Sequence, residues 1–286
     1  MNQDLMTGPL VSIGIPLYNE SAYVKRTVDS ALAQSYRNIE IIVSDNCSTD
    51  NTYDILTSEF KDIENLRIYR QPKNIGPNAN FEFLMHQANG EFFMWLGGHD
   101  AIHPEYVAMA VKVHGEHPDS SLVYFQHQFL DHELNFIQTP PLPSIASHHL
   151  SRNLSAIKVF NALNYCTHIH GVWRLKHRPE IEFTKYFGPD HLILFIMSLC
   201  GSIHEISQSY YLRVVNRSEN SEDMIKRYKS YGYNLVDGDL MYTLYESHQR
   251  YLLRKLRLVL FLKLALMNKR FFRKFFLRTF ILMKHY

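Results

Sequence analysis

Cysteine is scarce in this chain of 286 residues. Cys47, Cys166 and Cys200 are too few and too scattered for a disulfide framework or a C-x-x-C zinc site, so a reducing compartment is the expectation. There is no G-x-G-x-x-G and no Walker lysine motif, which removes the usual dinucleotide site and the P-loop. No run reaches ~18 uncharged apolar residues, so no spanning helix is expected. Met1–Pro9 is polar and lacks an apolar stretch, so no signal peptide is expected and the protein is placed on the cytoplasmic side. Acid is missing from the last stretch: Arg250–Tyr286 carries 11 Lys and Arg and neither Asp nor Glu. That leaves 19 of the 30 basic residues against all 28 acidic ones in residues 1–249. A body of net charge near −9 is a poor nucleic-acid binder, so no nucleic-acid partner is expected.

What is present is an alternation of short apolar runs with helix-patterned segments. Leu10–Pro16, Ile39–Val43, Leu66–Arg70, Glu91–Leu96 and Leu122–Phe125 read as strands. Helices are predicted over Ala22–Gln34, with Asn19–Ser21 supplying the cap, over Thr52–Phe60, over Asn78–Gln87 and from Pro104 onward. This rhythm, kept for ~125 residues, predicts an α/β fold with a mostly parallel sheet and helices on both faces. Residues 126–165, with Pro140, Pro141 and Pro143, read as a surface loop or lid.

Ligands of such sheets bind beyond the carboxyl ends of the strands. The polar clusters fall there: Tyr18-Asn19-Glu20, Asp45-Asn46 and His99-Asp100. Asp45 and Asn46 can bond base or ribose donors, Asp100 is a hard oxygen ligand for Mg²⁺ or Mn²⁺, and Gly97 and Gly98 allow close backbone approach. Taken singly, each cluster can equally be a solvated turn with capping residues.

The residues of these segments carry a family resemblance. IPLYNE (Ile15–Glu20) and VDSALAQSYRNIEIIVSDNCSTDNT (Val28–Thr52) resemble glycosyltransferase family 2, the inverting sugar-nucleotide transferases of GT-A fold. NIGPNANF (Asn74–Phe81) and ANGEFFMWLGGHD (Ala88–Asp100) are similar to two further family stretches in the same order. The resemblance implies a nucleotide-sugar pocket lined by Pro16, Tyr18, Glu20, Asp45, Asn46, Asn80, Gly98, His99 and Asp100. It also implies a divalent cofactor, Mn²⁺ or Mg²⁺, on Asp100. The family's D-x-D is here Gly97-Gly98-His99, so its first acid is missing and its second is His99, itself a possible metal ligand.

The implied reaction needs a carboxylate to take the acceptor's proton. Asp190, in FGPDHLILFIMSLCG (Phe187–Gly201), stands where the family has one at the start of an apolar helix; a purely capping Asp190 is the alternative. His191 is next to it and can orient substrate. THIHGVWR (Thr167–Arg174) resembles the acceptor-side segment, with Gly171 admitting the acceptor and Trp173 stacking on a sugar or, in the plainer reading, filling a core strand. On that strand Cys166, His168 and His170 would alternate onto one side. Arg213 matches a position where the family often carries a basic residue.

These readings divide the chain into a GT-A catalytic domain, residues 1–215, with a nucleotide-binding half (10–125) and an acceptor-side half (126–215). A helical extension, 216–286, ends in the basic, apolar tail from about residue 250. The tail is expected to meet an anionic membrane surface, attaching the protein to the inner face of the cell membrane and suiting a glycan or lipid-linked acceptor. A helical pair packed on the body is the alternative. The expected function is an inverting transferase of surface polysaccharide synthesis; an inactive GT-A nucleotide-binding module and a nucleotidyltransferase are the competing classes.

Overall fold

The computed structural model describes residues 8–139, 141–162, 166–180, 182–185 and 189–215. The helical extension and the basic tail expected beyond residue 215 lie outside the described residues. Apart from Lys185, the described residues belong to one compact unit, Met1–Thr184 with Pro189–Ser218.

The elements run β1 (Val11–Leu17), α1 (Val24–Leu32), β2 (Ile39–Asp45), α2 (Thr52–Glu59), β3 (Leu66–Arg70), α3 (Pro77–Gln87), β4 (Phe92–Trp95) and β5 (Ala101–Ile102). They continue with α4 (Tyr106–Glu116), β6 (Ser120–Leu130), β7 (Phe136–Ile137), α5 (Arg152–Ala162), a 3₁₀ turn (Cys166–His170), β8 (Val172–Arg174), α6 (Pro189–Cys200) and β9 (Ser202–Val214). One mixed sheet has the order β3-β2-β1-β4-β8-β6-β9-β5, with β7 paired on β6. The four strands β3, β2, β1 and β4 are all parallel, with Leu17 opposite Asp45 at the end of the β1–β2 pair. This half has the wound α/β form that the alternation predicted, and its central strands, β1 and β4 beside β2, bury mostly apolar side chains.

α1 shows how the pattern builds the core. Val24, Thr27, Val28 and Ala31, spaced by three and four residues, form its buried stripe against the sheet. Its start differs from the predicted cap. No side chain caps α1; the Glu20 carbonyl accepts from the Tyr23 and Val24 N–H groups instead. Asn19 turns to α2's side and accepts from the Thr49 N–H at 2.9 Å, with its own backbone left-handed at φ 56°.

The second half departs further from expectation. β6 does not stop at Phe125 but runs to Leu130, because its pairing with β9 resumes at His127 after an irregularity at Gln126. α5 occupies part of the segment read as a loop. β9, 13 residues long and parallel to β6, was not foreseen as a strand, since its polar residues break the apolar alternation. Cys166–His170 is a 3₁₀ turn rather than the start of a strand, so Cys166, His168 and His170 do not share a face. His168 bonds the Pro143 carbonyl and His170 the Trp95 carbonyl.

Candidate active site

The ends of β1, β2 and β4 meet at one edge of the sheet. β4 ends at Trp95, and Gly97-Gly98-His99-Asp100 turns across the end of β1. A Cβ on Gly98 would lie 2.6 Å from Leu17 Cδ2 and 2.8 Å from the Pro16 carbonyl, so only glycine lets the turn pass this close. α1 straps the turn down: the Thr27 hydroxyl bonds the Gly98 and Asp100 carbonyls, and Arg26 Nη2 donates to the His99 carbonyl at 2.7 Å.

Asp100 is 2% exposed and held by β9. The Tyr211 hydroxyl donates to its Oδ2 at 2.8 Å and the Val214 N–H to its Oδ1 at 2.9 Å. The same hydroxyl accepts from the Gly97 N–H at 3.1 Å. Tyr211 is fixed in turn by the His127 and His170 rings, whose centroids lie 4.5 and 4.9 Å from its own. A Cβ at position 97 would sit 2.4 Å from Asp100 Oδ2. The carboxylate thus fills the space that a side chain at 97 would need, so the missing first acid of the D-x-D and the inward turn of Asp100 go together. Tyr211 is a functional residue that sequence reasoning missed; the signal was its place two residues before Arg213 in an extended run.

His99 lies between two carboxylates. Its Nδ1 is 3.0 Å from Glu20 Oε1 and its Nε2 is 3.8 Å from Asp100 Oδ1. A carboxylate cannot donate, so Nδ1 carries the hydrogen toward Glu20. Burial presses its imidazole toward the neutral form, and the bond to Glu20 with the charge of Asp100 outweighs that, so the pKa is raised. The spot favours positive charge.

Other predicted residues are already engaged. Asp45 is fully buried, accepts from the Ser48 N–H and pairs with Arg70 Nε at 3.4 Å. The Asn46 amide donates to Asn74 Oδ1 and the Gly76 carbonyl and accepts from the Ile75 N–H. It therefore clamps the loop before α3, and its amide is occupied where a ribose or base contact was predicted. Asn80 is likewise spent on Ser44 of β2. Tyr18, 39% exposed, is the free aromatic at the end of β1.

The second half brings Asp190 to the start of α6, directly after Pro189 in its first turn. Asp190 Oδ1 accepts from the His191 N–H at 3.1 Å and lies 3.3 Å from His191 Nδ1. Burial raises its pKa, but the bonds and charge of His191 and the Cys166 S–H bond outweigh this and hold the carboxyl below the usual range. Burial, with Asp190 alongside, pushes the Cys166 thiol up, so it stays protonated. The ligand atoms of Cys166, Asp190 and His191 lie within 4.8 Å of one another, close enough to hold a metal ion.

Arg213 lies near the end of β9. It shares a strand face with Tyr211, and its charge acts on Cys166 beside Asp190 and on His99 and His170 beside Asp100. Two acceptor-side predictions are corrected. Trp173 is 1% exposed, packed on Phe93 and Trp95, with no hydrogen-bond partner for its Nε1, so it fills the core and cannot stack on a sugar. Gly171 serves β6: a Cβ there would come within 2.6 Å of the Val123 carbonyl, which leaves no room for an acceptor at its Cα.

The donor set at the turn fits the divalent cation that the resemblance implies. His99 Nε2 is left over by Glu20, and each oxygen of Asp100 accepts one hydrogen bond and keeps a lone pair.

Comparison with known proteins agrees with this edge. The sequence model of glycosyl transferase family 2 matches residues 12–175, more than half of the chain. An uncharacterized glycosyltransferase of Rickettsia typhi is 34% identical over 134 residues, 46% of this chain and 41% of that one. The chondroitin synthase of Pasteurella multocida is 25% identical over 252 residues, 80% of this chain and 25% of that one. The chain spans about two fifths or less of the length of these relatives. Staphylococcus aureus TarS 1–349, solved in complex with UDP-GlcNAc, has the same fold, with a TM-score of 0.60 and 20% identity over 87% of this chain and 76% of its own. With its motifs in order on the strand ends of a GT-A sheet and the family model spanning most of that sheet, this chain belongs to glycosyl transferase family 2.

Proposed function

We propose that the protein transfers a sugar, with inversion, from a nucleoside-diphosphate sugar to a hydroxyl of a glycan or lipid-linked acceptor in the synthesis of a polysaccharide. The observation that carries this reading is the buried Asp100 in the turn after β4, with His99 set between it and Glu20 at the edge of the sheet. The nucleotide lies over Tyr18 and the ends of β1 and β2. The acceptor hydroxyl gives its proton to Asp190 as its oxygen bonds the anomeric carbon, and the bond from that carbon to the diphosphate breaks in line. The Asp190 carboxyl, held below the usual range, is ionised, the form a base needs. Arg213 offsets the charge on the departing diphosphate. A divalent cation held by His99 and Asp100 would add positive charge to the same oxygens.

A UDP-linked sugar is the first donor to test, given that TarS was solved with UDP-GlcNAc and that chondroitin synthases are among the relatives. The basic tail adds an anionic membrane surface as the place of work. The experiment follows nucleoside diphosphate release from a panel of sugar nucleotides with glycan acceptors, in the presence of neutral or anionic vesicles. Asp190→Asn should lower turnover by about 10²–10⁴-fold, the usual worth of a positioned base, with an unchanged thermal midpoint. Turnover near that of the wild type would remove Asp190 from the mechanism. Equal pelleting of the chain with both kinds of vesicle would remove the membrane surface.

A further inference from the structure

The substitution of His99 for the second acid changes what the turn can bind, and the hydrogen bonds around it show how. The backbone of His99 is tied by Arg26, and its neighbours' carbonyls are tied by Thr27, so the ring has little freedom to move away. Glu20 takes the Nδ1 hydrogen at 3.0 Å. In the neutral ring, the form that binds a metal, the lone pair then resides on Nε2, the nitrogen on the Asp100 side, 3.8 Å from Oδ1. A ring nitrogen whose partner nitrogen donates to a carboxylate is the arrangement that raises imidazole basicity toward a metal and fixes its orientation.

We propose that Glu20 is a positioning residue that aims His99 Nε2 at the cation on the donor diphosphate, and that this nitrogen makes the site select a transition-metal dication over Mg²⁺. The inference rests on the reading of this edge as the donor site. Its physical basis is the chemistry of the donor atoms. Mg²⁺ is hard, demands oxygen in near-ideal octahedral geometry and gives up its waters reluctantly. Imidazole nitrogen suits later first-row ions, whose affinity rises from Mn²⁺ to Co²⁺. Replacing one carboxylate by imidazole also removes a negative charge and a hard ligand, so Mg²⁺ loses more than Mn²⁺ or Co²⁺. Asp100 supplies the carboxylate of the turn, and Gly97 has no side chain to add another.

The test is a direct binding measurement on the full chain. UDP, GDP, dTDP, ADP and CDP are titrated calorimetrically in EDTA, MgCl₂, MnCl₂ and CoCl₂, with no sugar transfer involved. The nucleotide that binds should do so at least about tenfold more tightly with Mn²⁺ or Co²⁺ than with Mg²⁺, the lower end of what outer ligands of a metal are worth. His99→Asp, which restores the acid, should bring Mg²⁺ level with Mn²⁺. Glu20→Ala should erase most of the Mn²⁺ advantage, while Glu20→Gln, whose amide oxygen still accepts from Nδ1–H, should keep it. A loss of fold would weaken binding in all metals alike and would not change their ratio. The inference is overturned if a nucleotide binds the wild type equally well in Mg²⁺ and Mn²⁺, or if the preference survives His99→Asp. If no nucleotide binds under any condition, the donor-site reading falls and takes this inference with it, a result distinct from metal-indifferent binding.

Discussion

At the scale of single residues, the edge of the sheet is organised by hydrogen bonds that few of its polar groups can spare. The Tyr211 hydroxyl serves two of them, the Gly97 N–H and the Asp100 carboxylate. Tyr211→Phe keeps the stacked ring and removes both bonds. It should cost about 1–3 kcal/mol in chemical denaturation, because a buried N–H and a buried carboxylate oxygen are left without that partner. Donor binding should weaken in parallel, since the turn loses its anchor to β9. An unchanged denaturation midpoint would show that water replaces the hydroxyl. Much at this scale was legible beforehand. The polar clusters holding Glu20, His99 and Asp100 could be named from residue type and place, and Asp190 from the family resemblance. That Asn46 and Asn80 would spend their amides on the protein could not, because an amide's partners are set by what folds against it.

At the scale of elements, the acceptor-side strand β8 shows how packing overrides a plausible local reading. Gly171 and Trp173 looked suited to a sugar, yet one lets β8 approach β6 and the other joins Phe93, Trp95 and Phe183 in a buried aromatic cluster. Gly171→Ala should therefore destabilise the fold by about 1–3 kcal/mol, the usual cost of overpacking, because its Cβ meets the backbone of β6 at Val123. Its effect on acceptor affinity in the folded fraction should be small; a raised acceptor KM with unchanged stability would restore the acceptor role. β1, α1, β2, α2, β3, α3 and β4 were all visible in the sequence, since each carries a clean period. β9 was not. Its Glu205, Ser207 and Gln208 break the apolar alternation, and Glu205 finds a partner only when the fold brings Gln126 of β6 beside it.

At the scale of the whole molecule, the chain buries several histidines in neutral form. Burial lowers the pKa of His114 to about 3 and of His170 and His204 to about 4, helped by Arg213 at His170 and by His117 at His204. These folded values lie below the ordinary one near 6.5 that the unfolded chain shows. Between pH 6.5 and 4 the unfolded state takes up protons that the folded state refuses, so the stability these residues allow is complete above pH 6.5 and is lost as pH falls toward 4. The thermal midpoint should drop across that window. His114→Gln, which bonds Ser120 and the Val172 carbonyl without titrating, should show a shallower drop. An identical slope would assign the acid lability to other groups.

The sequence by itself determined the parallel half of the sheet, the strand ends where the polar residues gather and the family, because these depend on local period and on motifs contiguous in the chain. The tertiary structure alone decided which polar groups remain free to act. Asp100 is gripped by Tyr211 and Val214 from more than a hundred residues away, on a strand, β9, that is held in place by its pairing with β6. Hydrogen-bond capacity is finite and is claimed by whichever partner the fold brings within reach, and no pattern along the chain records that reach.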